Sequence, residues 1–354
     1  MSFAKIADID KNFKVETTIE RDNLQFYDVE NKPFQVYGLM REKGRFCRIP
    51  EQVAHDVSEW VHILYSNTAG GRVRFVTDSP YIAISAEMDN IGKMPHFPLT
   101  GSAGFDLHVD EGNGQKYFRS FVPPYEIETG YESVHDFSNQ SKRIVTIHFP
   151  LYSGVKKVYV GLSNNCSLEA APDYAYEKPV VYYGSSITQG GCASTPGNSY
   201  QNMISRWLNV DHINLGFSGS AKAEDAMVQY LANLDMRLFV CDYDHNAPNA
   251  DYLRKTHLPL YRHIRAEQPD LPILFISSPS VLLTPEKYQE RQRVVQETYQ
   301  IAISEGDKNV YYLDGADLFA GDDWDLCTVD GIHPNDLGFY RMAKKICAQI
   351  AKIL

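Results

Sequence analysis

Near residue 178 the sequence changes period, and that change decides the architecture. Beyond it, short apolar runs at 180–184 (VVYYG), 211–215 (DHINL), 237–241 (RLFVC), 272–277 and 309–313 alternate with helical patterns at about 199–208, 222–234, 249–267, 285–304 and 336–353. The last of these repeats Ala343, Ile346, Cys347 and Ile350 at the spacing that lines one helix face. Five strands joined by crossover helices predict an α/β domain, with a flavodoxin-like parallel five-stranded sheet covered on both faces. Before residue 165 the rhythm is different. Short alternating runs such as Gly71–Val76, Tyr81–Ile84 and Arg143–His148 are broken by Gly, Asn and Pro, with little helical periodicity. That pattern predicts an antiparallel β-sandwich. The segment SLEAAPDYAYEK between the two regimes reads as a linker. The expected organisation is a β-sandwich domain at 1–166, a linker at 167–178 and the α/β domain at 179–354, within the reach of a 354-residue chain.

Composition narrows the partners. A net charge of −11, spread along the chain, disfavours nucleic acid and anionic membrane as ligands. The opening MSFAKIADIDKNF lacks the apolar core of a leader peptide, and no stretch approaches the roughly 20 apolar residues of a spanning helix. Six cysteines without CxxC spacing point to reduced thiols rather than a disulfide framework or zinc knuckle, and so to a cytoplasmic protein.

In an open parallel sheet the reactive groups collect where strands end. After the first strand stands Gly184-Ser185-Ser186-Ile187-Thr188-Gln189-Gly190, a serine at a strand-to-helix turn whose neighbouring amides can bind an anion. After the second comes the glycine-rich turn Asn214-Leu215-Gly216-Phe217-Ser218-Gly219-Ser220. After the third, Asp242-Tyr243-Asp244-His245-Asn246-Ala247-Pro248 offers a side-chain amide. Before the final helix, Asp330-Gly331-Ile332-His333-Pro334 sets a carboxylate three residues from a histidine, able to hold the imidazole tautomer that acts as a base toward serine.

GSSITQGG, NLGFSGS, DYDHNAP and DGIHPNDLGF, in that order, resemble the four sequence blocks of the SGNH (GDSL-like) hydrolases, over about residues 180–345. The resemblance implies Ser186 as nucleophile, with Asp330 and His333 completing a catalytic triad. It also implies an oxyanion hole made by the N–H groups of Ser186 and Gly219 and the side chain of Asn246. Two departures stand out: the usual GDS is Gly184-Ser185-Ser186 here, and the third block lacks the GxND form. The β-sandwich ahead of the first block resembles, more loosely, a two-domain branch that includes carbohydrate acetylesterases and a few acyltransferases, in which the sandwich is like a carbohydrate-binding module.

Other residues admit plainer readings. Ser218 lies in Gly-x-Ser-Gly, but the Gly-x-Ser-x-Gly elbow is absent. Asp242, Asp244 and His245 could suggest a metal cluster, yet alternation along an extended segment would point them to opposite faces, so no metal is expected. Asp314 is the alternative orienting acid, and Cys192 reads as a free thiol. Trp324 is either a sugar-stacking platform or a packing residue. The apolar loop Met94–Gly101, with His96 and Phe97, either reaches the cleft or closes the sandwich. The expected function is a serine esterase, without metal or organic cofactor, removing O-acetyl groups from acetylated mannan or xylan oligosaccharides. Trp324 and His96 are its candidate substrate contacts. The alternatives are an acyltransferase or general short-chain esterase, and a carbohydrate-binding protein with a dead hydrolase domain. The sugar, the acetyl position and the oligomeric state stay open.

Overall fold

A computed structural model describes residues 10, 15 and 18–354. The opening segment read for a leader peptide lies largely outside them. The first half contains the strands β1 (Leu24–Asp28), β2 (Gln35–Tyr37), β3 (Met40–Glu42), β4 (Arg45–Cys47), β5 (Arg72–Thr77) and β6 (Tyr81–Asp89). It continues with β7 (Phe105–Asp110), β8 (Lys116–Phe121), β9 (Gly130–Asp136), β10 (Arg143–His148), β11 (Gly154–Ser163) and β12 (Leu168–Glu169). They form two larger antiparallel sheets, β1-β11-β6-β9 and β12-β5-β10-β7-β8 with β2 paired beside β5, and a separate β3-β4 hairpin pair. Between these sheets lies a core of Val73, Phe75, Ile82, Ile84, Leu107, Val145, Ile147 and their neighbours. β12 falls inside the segment read as a linker and pairs with β5, because Thr77 and Val76 leave an open edge there.

Among the described residues the first half also holds three short helices, α1 (Glu51–Val57), α2 (Glu59–Leu64) and α3 (Leu99–Ser102). None has a counterpart in the sequence reading, since six- and seven-residue helices are too brief to show a period. Their packing matters more than their length. Ile49, Ala54, Val57, Val61 and Tyr65 are buried in one core with Val181, Tyr183, Leu215 and Phe239 of the second half.

That second half is the doubly wound layer the sequence predicts. The parallel strands are β13 (Val180–Gly184), β14 (His212–Gly216), β15 (Leu238–Asp242), β16 (Ile273–Ile276) and β17 (Val310–Leu313), in the order β14-β13-β15-β16-β17. The helices are α4 (Ser186–Gln189), α5 (Tyr200–Leu208), α6 (Asp225–Ala232), α7 (Ala250–Glu267), α8 (Pro285–Ser304) and α9 (Asp336–Ile353). Alternate residues of the strands face opposite layers: Val180, Tyr182, Leu238 and Val240 meet α5 and α9, while Val181, Tyr183, Phe239 and Cys241 meet α6, α7 and α8. Strand order reverses between β14 and β15 around β13, so the switch-point crevice opens at Gly184, Gly216 and Asp242. No described helix is long and apolar enough to cross a membrane.

The polar alternation of β5, β7 and β10 (RVRFVT, FDLHVD, RIVTIH) would ordinarily face water. Here Arg72, Arg74, Asp106, His108, Thr146 and His148 are all buried, because that sheet face is turned against the second half. Arg72 donates to Tyr174 Oη (2.7 Å), Gly70 O (2.7 Å) and His212 O (3.2 Å), and pairs with Asp211. Asp106 accepts from Gly197 N (2.6 Å) and lies 2.7 Å from His148 Nδ1. Arg72, Asp106 and His148 thus enter the junction as paired and hydrogen-bonded groups.

Burial holds His108 and His257 down at about 3, His245 at about 4, and His212 well below the ordinary histidine value. Below about pH 6.5 the unfolded chain takes up protons that these folded histidines refuse, so stability falls as pH drops toward 4. Asp242, pushed up by burial to about 8, Asp244, to about 6, and Glu224, also raised, act in the opposite sense and lose stability as pH rises. With His135 also lowered by burial, five histidines against three carboxyls leave acid loss dominant. The melting temperature is expected to fall steadily from pH 6.5 to 4.5 in calorimetry; a rise over that interval would refute the assignment.

Candidate active site

Ser185 and Ser186 are separated by what their hydroxyls do. Ser185 is the N-cap of α4, its Oγ accepting from Ile187 N at 3.1 Å, and it is buried. Ser186, the first residue of the helix, has its Oγ 2.9 Å from His333 Nε2. Its own N–H is one of the helix's orphan donors. Gly184 ends β13 so close to Asp242 and Thr188 that a side chain there would collide with both. The Thr188 hydroxyl donates to Asp242, which also accepts from Tyr200 Oη at 3.0 Å. These bonds fix α4 to the end of β15.

The Asp330–His333 segment is a tight turn closed by its own carboxylate. Asp330 Oδ1 accepts from Ile332 N (3.0 Å) and His333 N (2.7 Å), and Oδ2 lies 2.7 Å from His333 Nδ1. Burial by itself would raise this carboxyl, but the bonds from the His333 side chain and the two backbone N–H groups outweigh it and hold it below the usual range. With Nδ1–H committed to Asp330, Nε2 is left bare to accept from the Ser186 hydroxyl. Asp314, the alternative acid, caps a 3-10 turn through Ala316 N and accepts from Gln292 and Gln296.

Gly219 takes φ +66, and its N–H has no hydrogen-bond acceptor among the described residues. The turn that carries it is pinned from three directions. Gln189 Oε1 accepts from Ser218 N at 3.0 Å, Asn246 Nδ2 donates to Phe217 O at 2.9 Å, and the Arg48 guanidinium donates to the carbonyls of Asn214 (3.3 Å) and Gly216 while lying 4.4 Å over the Phe217 ring. Asn246 keeps a second N–H for a ligand. Burial lowers Arg48 to about 9, so it stays charged at neutral pH behind this turn. Ser186 N–H, Gly219 N–H and the second N–H of Asn246 thus have no acceptor among the described residues.

The first half borders the same place. His96 Nε2 lies 3.8 Å from Asp330 Oδ2, Tyr152 Oη donates to Ser186 O at 3.3 Å, and Phe97 and Tyr152 share a core with Ile187 and Cys192. The loop Met94–Gly101 thus reaches the site with His96 and is buried through Phe97. Cys192, in the left-handed region at φ +76, is a free buried thiol pushed up to about 12 by burial and by Asp330. Its Sγ and ring nitrogens of His96 and His333 lie within 4.8 Å of one another, so a soft cation there would compete with Ser186 for His333. Asp106, His108 and His148 form a second such cluster. There His108 Nδ1 accepts from Arg206 (3.4 Å), which leaves the proton on Nε2 and no lone pair for a metal. Trp324 stands 40% exposed on a 3-10 turn, away from a packed role. Asp244, His245 and Asn246 form a 3-10 turn rather than the extended segment expected from sequence. Gln189, Tyr152 and Arg48 escaped the sequence reading. Gln189 lies within the first block, whereas Arg48 and Tyr152 carry no local signal, acting across 166 and 34 residues.

The GDSL-like Lipase/Acylhydrolase family model matches residues 177–351, and the model for the N-terminus of Esterase_SGNH_hydro-type proteins matches residues 24–168. No curated protein matches the sequence. Among solved structures, a Bacteroides ovatus protein described as a GDSL-like lipase is similar at 27% identity and TM-score 0.83, covering 94% of this chain and 98% of its own. The salicylyl-acyltransferase SsfX3 of a tetracycline biosynthetic pathway shares the fold at 20% identity and TM-score 0.74, with the same coverage. A family two carbohydrate esterase from Clostridium thermocellum, in complex with cellohexaose, shares it at 16% identity and TM-score 0.58, over 81% of this chain and 93% of its own. With the four blocks gathered at one crevice and both halves matched, the chain belongs to the SGNH/GDSL-like hydrolases, in the two-domain branch with an N-terminal β-sandwich.

Proposed function

We propose that the protein is a serine esterase that removes O-acetyl groups from oligosaccharides of the acetylated mannan or xylan type. The observation that carries the esterase is the unbroken chain from Ser186 Oγ through His333 to Asp330, at 2.9 and 2.7 Å. His333 takes the Ser186 proton as the oxygen attacks the ester carbonyl, and Asp330 stabilises the imidazolium that forms. The oxyanion is held by Ser186 N–H, Gly219 N–H and Asn246 Nδ2. The protonated imidazole then releases the sugar alcohol, and water activated by the same ring frees acetate and the serine. The acid, base and donors are all side chains and amides of this chain.

A short acyl group is supported by the crowding at the nucleophile. Ser186 is only 5% exposed, and Gly191 sits so close to Tyr152 Oη and His333 that a Cβ there would meet them at 3.0 and 3.3 Å. Carbohydrate as the alcohol is supported by the shared fold with a carbohydrate esterase and by the half-exposed His96 at the edge of the triad. Mass spectrometry of acetylated manno- and xylo-oligosaccharides with enzyme is expected to show acetyl loss with release of free acetate. Acetyl transfer to an added alcohol in preference to water would make the protein an acyltransferase, and no turnover of these oligosaccharides or of p-nitrophenyl acetate would leave a dead domain.

A further inference from the structure

A second cavity, of about 320 Å³, lies at the junction of the sandwich and the α/β half, lined by Arg74, Thr146, Tyr174, Arg206, Asp110 and Asn209 among others. Arg74 and Thr146 are direct partners on β5 and β10, and Thr146 partners His108 on β7, so all three project from the same sheet face. The two neighbouring arginines of β5 meet different fates. Arg72 is satisfied by the Tyr174 hydroxyl, two carbonyls and Asp211. Arg74, only 7% exposed, has its guanidinium carbon 4.3 Å from the Tyr174 ring centroid, and its Nη1 is buried without a hydrogen-bond partner. No carboxylate lies within ion-pairing distance of it among the described residues. Arg206 enters from α5 with no carboxylate in direct ion-pair contact among the described residues: it donates to His108 Nδ1 at 3.4 Å, and the buried Asp106 carboxylate acts on it only from a distance.

Burying a guanidinium without an acceptor is costly unless something completes it. Both acids that line the cavity are already engaged: Asp110 accepts from Gly112 N at 2.8 Å, and exposed Asp173 accepts from Gln35 Nε2 at 3.0 Å. The two cations and the Thr146 hydroxyl thus share the cavity wall with Asp110, Asp173 and the Asn209 and Gln115 amides. The geometry points to a binding site for a monosaccharide-sized ligand bearing an oxyanion, a sugar carboxylate or sugar phosphate. Its charged group would rest on Arg74 and Arg206 and its hydroxyls on the other polar groups of that wall. A guanidinium offers paired N–H donors in a fork that matches a carboxylate or phosphate.

The test is calorimetric titration of the full chain with glucuronate, glucose 6-phosphate, inorganic phosphate and neutral glucose in separate arms. Saturable binding of one sugar anion, at least tenfold tighter than glucose, is expected, and the arm that binds identifies carboxylate or phosphate. Arg74→Gln and Arg206→Gln should each weaken that binding at least tenfold while leaving p-nitrophenyl acetate turnover intact. Arg206 is less buried than Arg74, so its replacement tests the site even if Arg74→Gln unfolds. No binding in either sugar-anion arm, equal binding of glucose, or unchanged affinity in a folded Arg206→Gln protein would overturn the site.

Discussion

A fragment beginning at residue 170 will not fold into an active enzyme, although it contains every residue of the four sequence blocks. The core on one face of its parallel sheet is completed from the first half by Ile49, by Val57 of α1, which packs beside α6, and by Val61 of α2. Burying each such aliphatic side chain is worth roughly 1.5–3 kcal/mol, so the three together approach about 6 kcal/mol. That is comparable with the whole stability of an ordinary domain, about 5–15 kcal/mol. The loss does not stop there. Asp211 would lose Arg72, the Gly216 carbonyl would lose Arg48, and Gln189 would lose its bonds to Asn67 (3.0 Å) and Leu151 O (3.3 Å). The last two bonds fix the residue that holds the Gly219 turn. Far-ultraviolet circular dichroism and gel filtration of the fragment should show a disordered or aggregated chain, with p-nitrophenyl acetate turnover absent. A monodisperse, cooperatively melting fragment with near-normal turnover would show that the first half is a detachable module.

The reason this dependence was hidden in the sequence is physical. The strands and long helices of the second half declare themselves because each repeats its period over enough residues: α8 and α9 fall at 285–304 and 336–353 as expected, and the five strands shift by a residue at most at their starts. In α1 and α2 the apolar residues are Val53, Ala54, Val57, Trp60, Val61, Ile63 and Leu64, of which Trp60 and Ile63 are exposed, so no clean stripe forms. The alternation in β5, β7 and β10 is legible as strand but silent about what lies beyond the polar face. Only the fold shows that Arg72 and His148 look into another layer rather than into water. The same limit applies to the site. Ser186, Asp330 and His333 are readable because their blocks are short and local, and Gly219 and Asn246 because they follow strand ends. Arg48 and Tyr152 act on those blocks from the sandwich half, where only tertiary structure could place them.

Ser186→Ala is expected to reduce ester turnover on the order of 10⁵–10⁶-fold, the scale seen when a triad loses its nucleophile. The fold should survive, since the substitution removes one hydroxyl whose described partner is His333, at the edge of the crevice. Ser185→Ala is the control that gives this result its meaning. Ser185 caps α4, so its loss should cost about 1 kcal/mol of stability while most activity remains. Asn246→Ala occupies the middle: it removes one oxyanion donor, expected to cost about 10²–10³ in kcat, and also the bond that holds the Phe217 carbonyl. Three variants with graded effects separate attack, anion binding and capping along one crevice, read as kcat on p-nitrophenyl acetate beside melting temperature. Equal losses in Ser185→Ala and Ser186→Ala would mean that turn geometry, not the Ser186 hydroxyl, limits the reaction. An Asn246→Ala protein with unchanged kcat would leave the anion to the two backbone N–H groups alone.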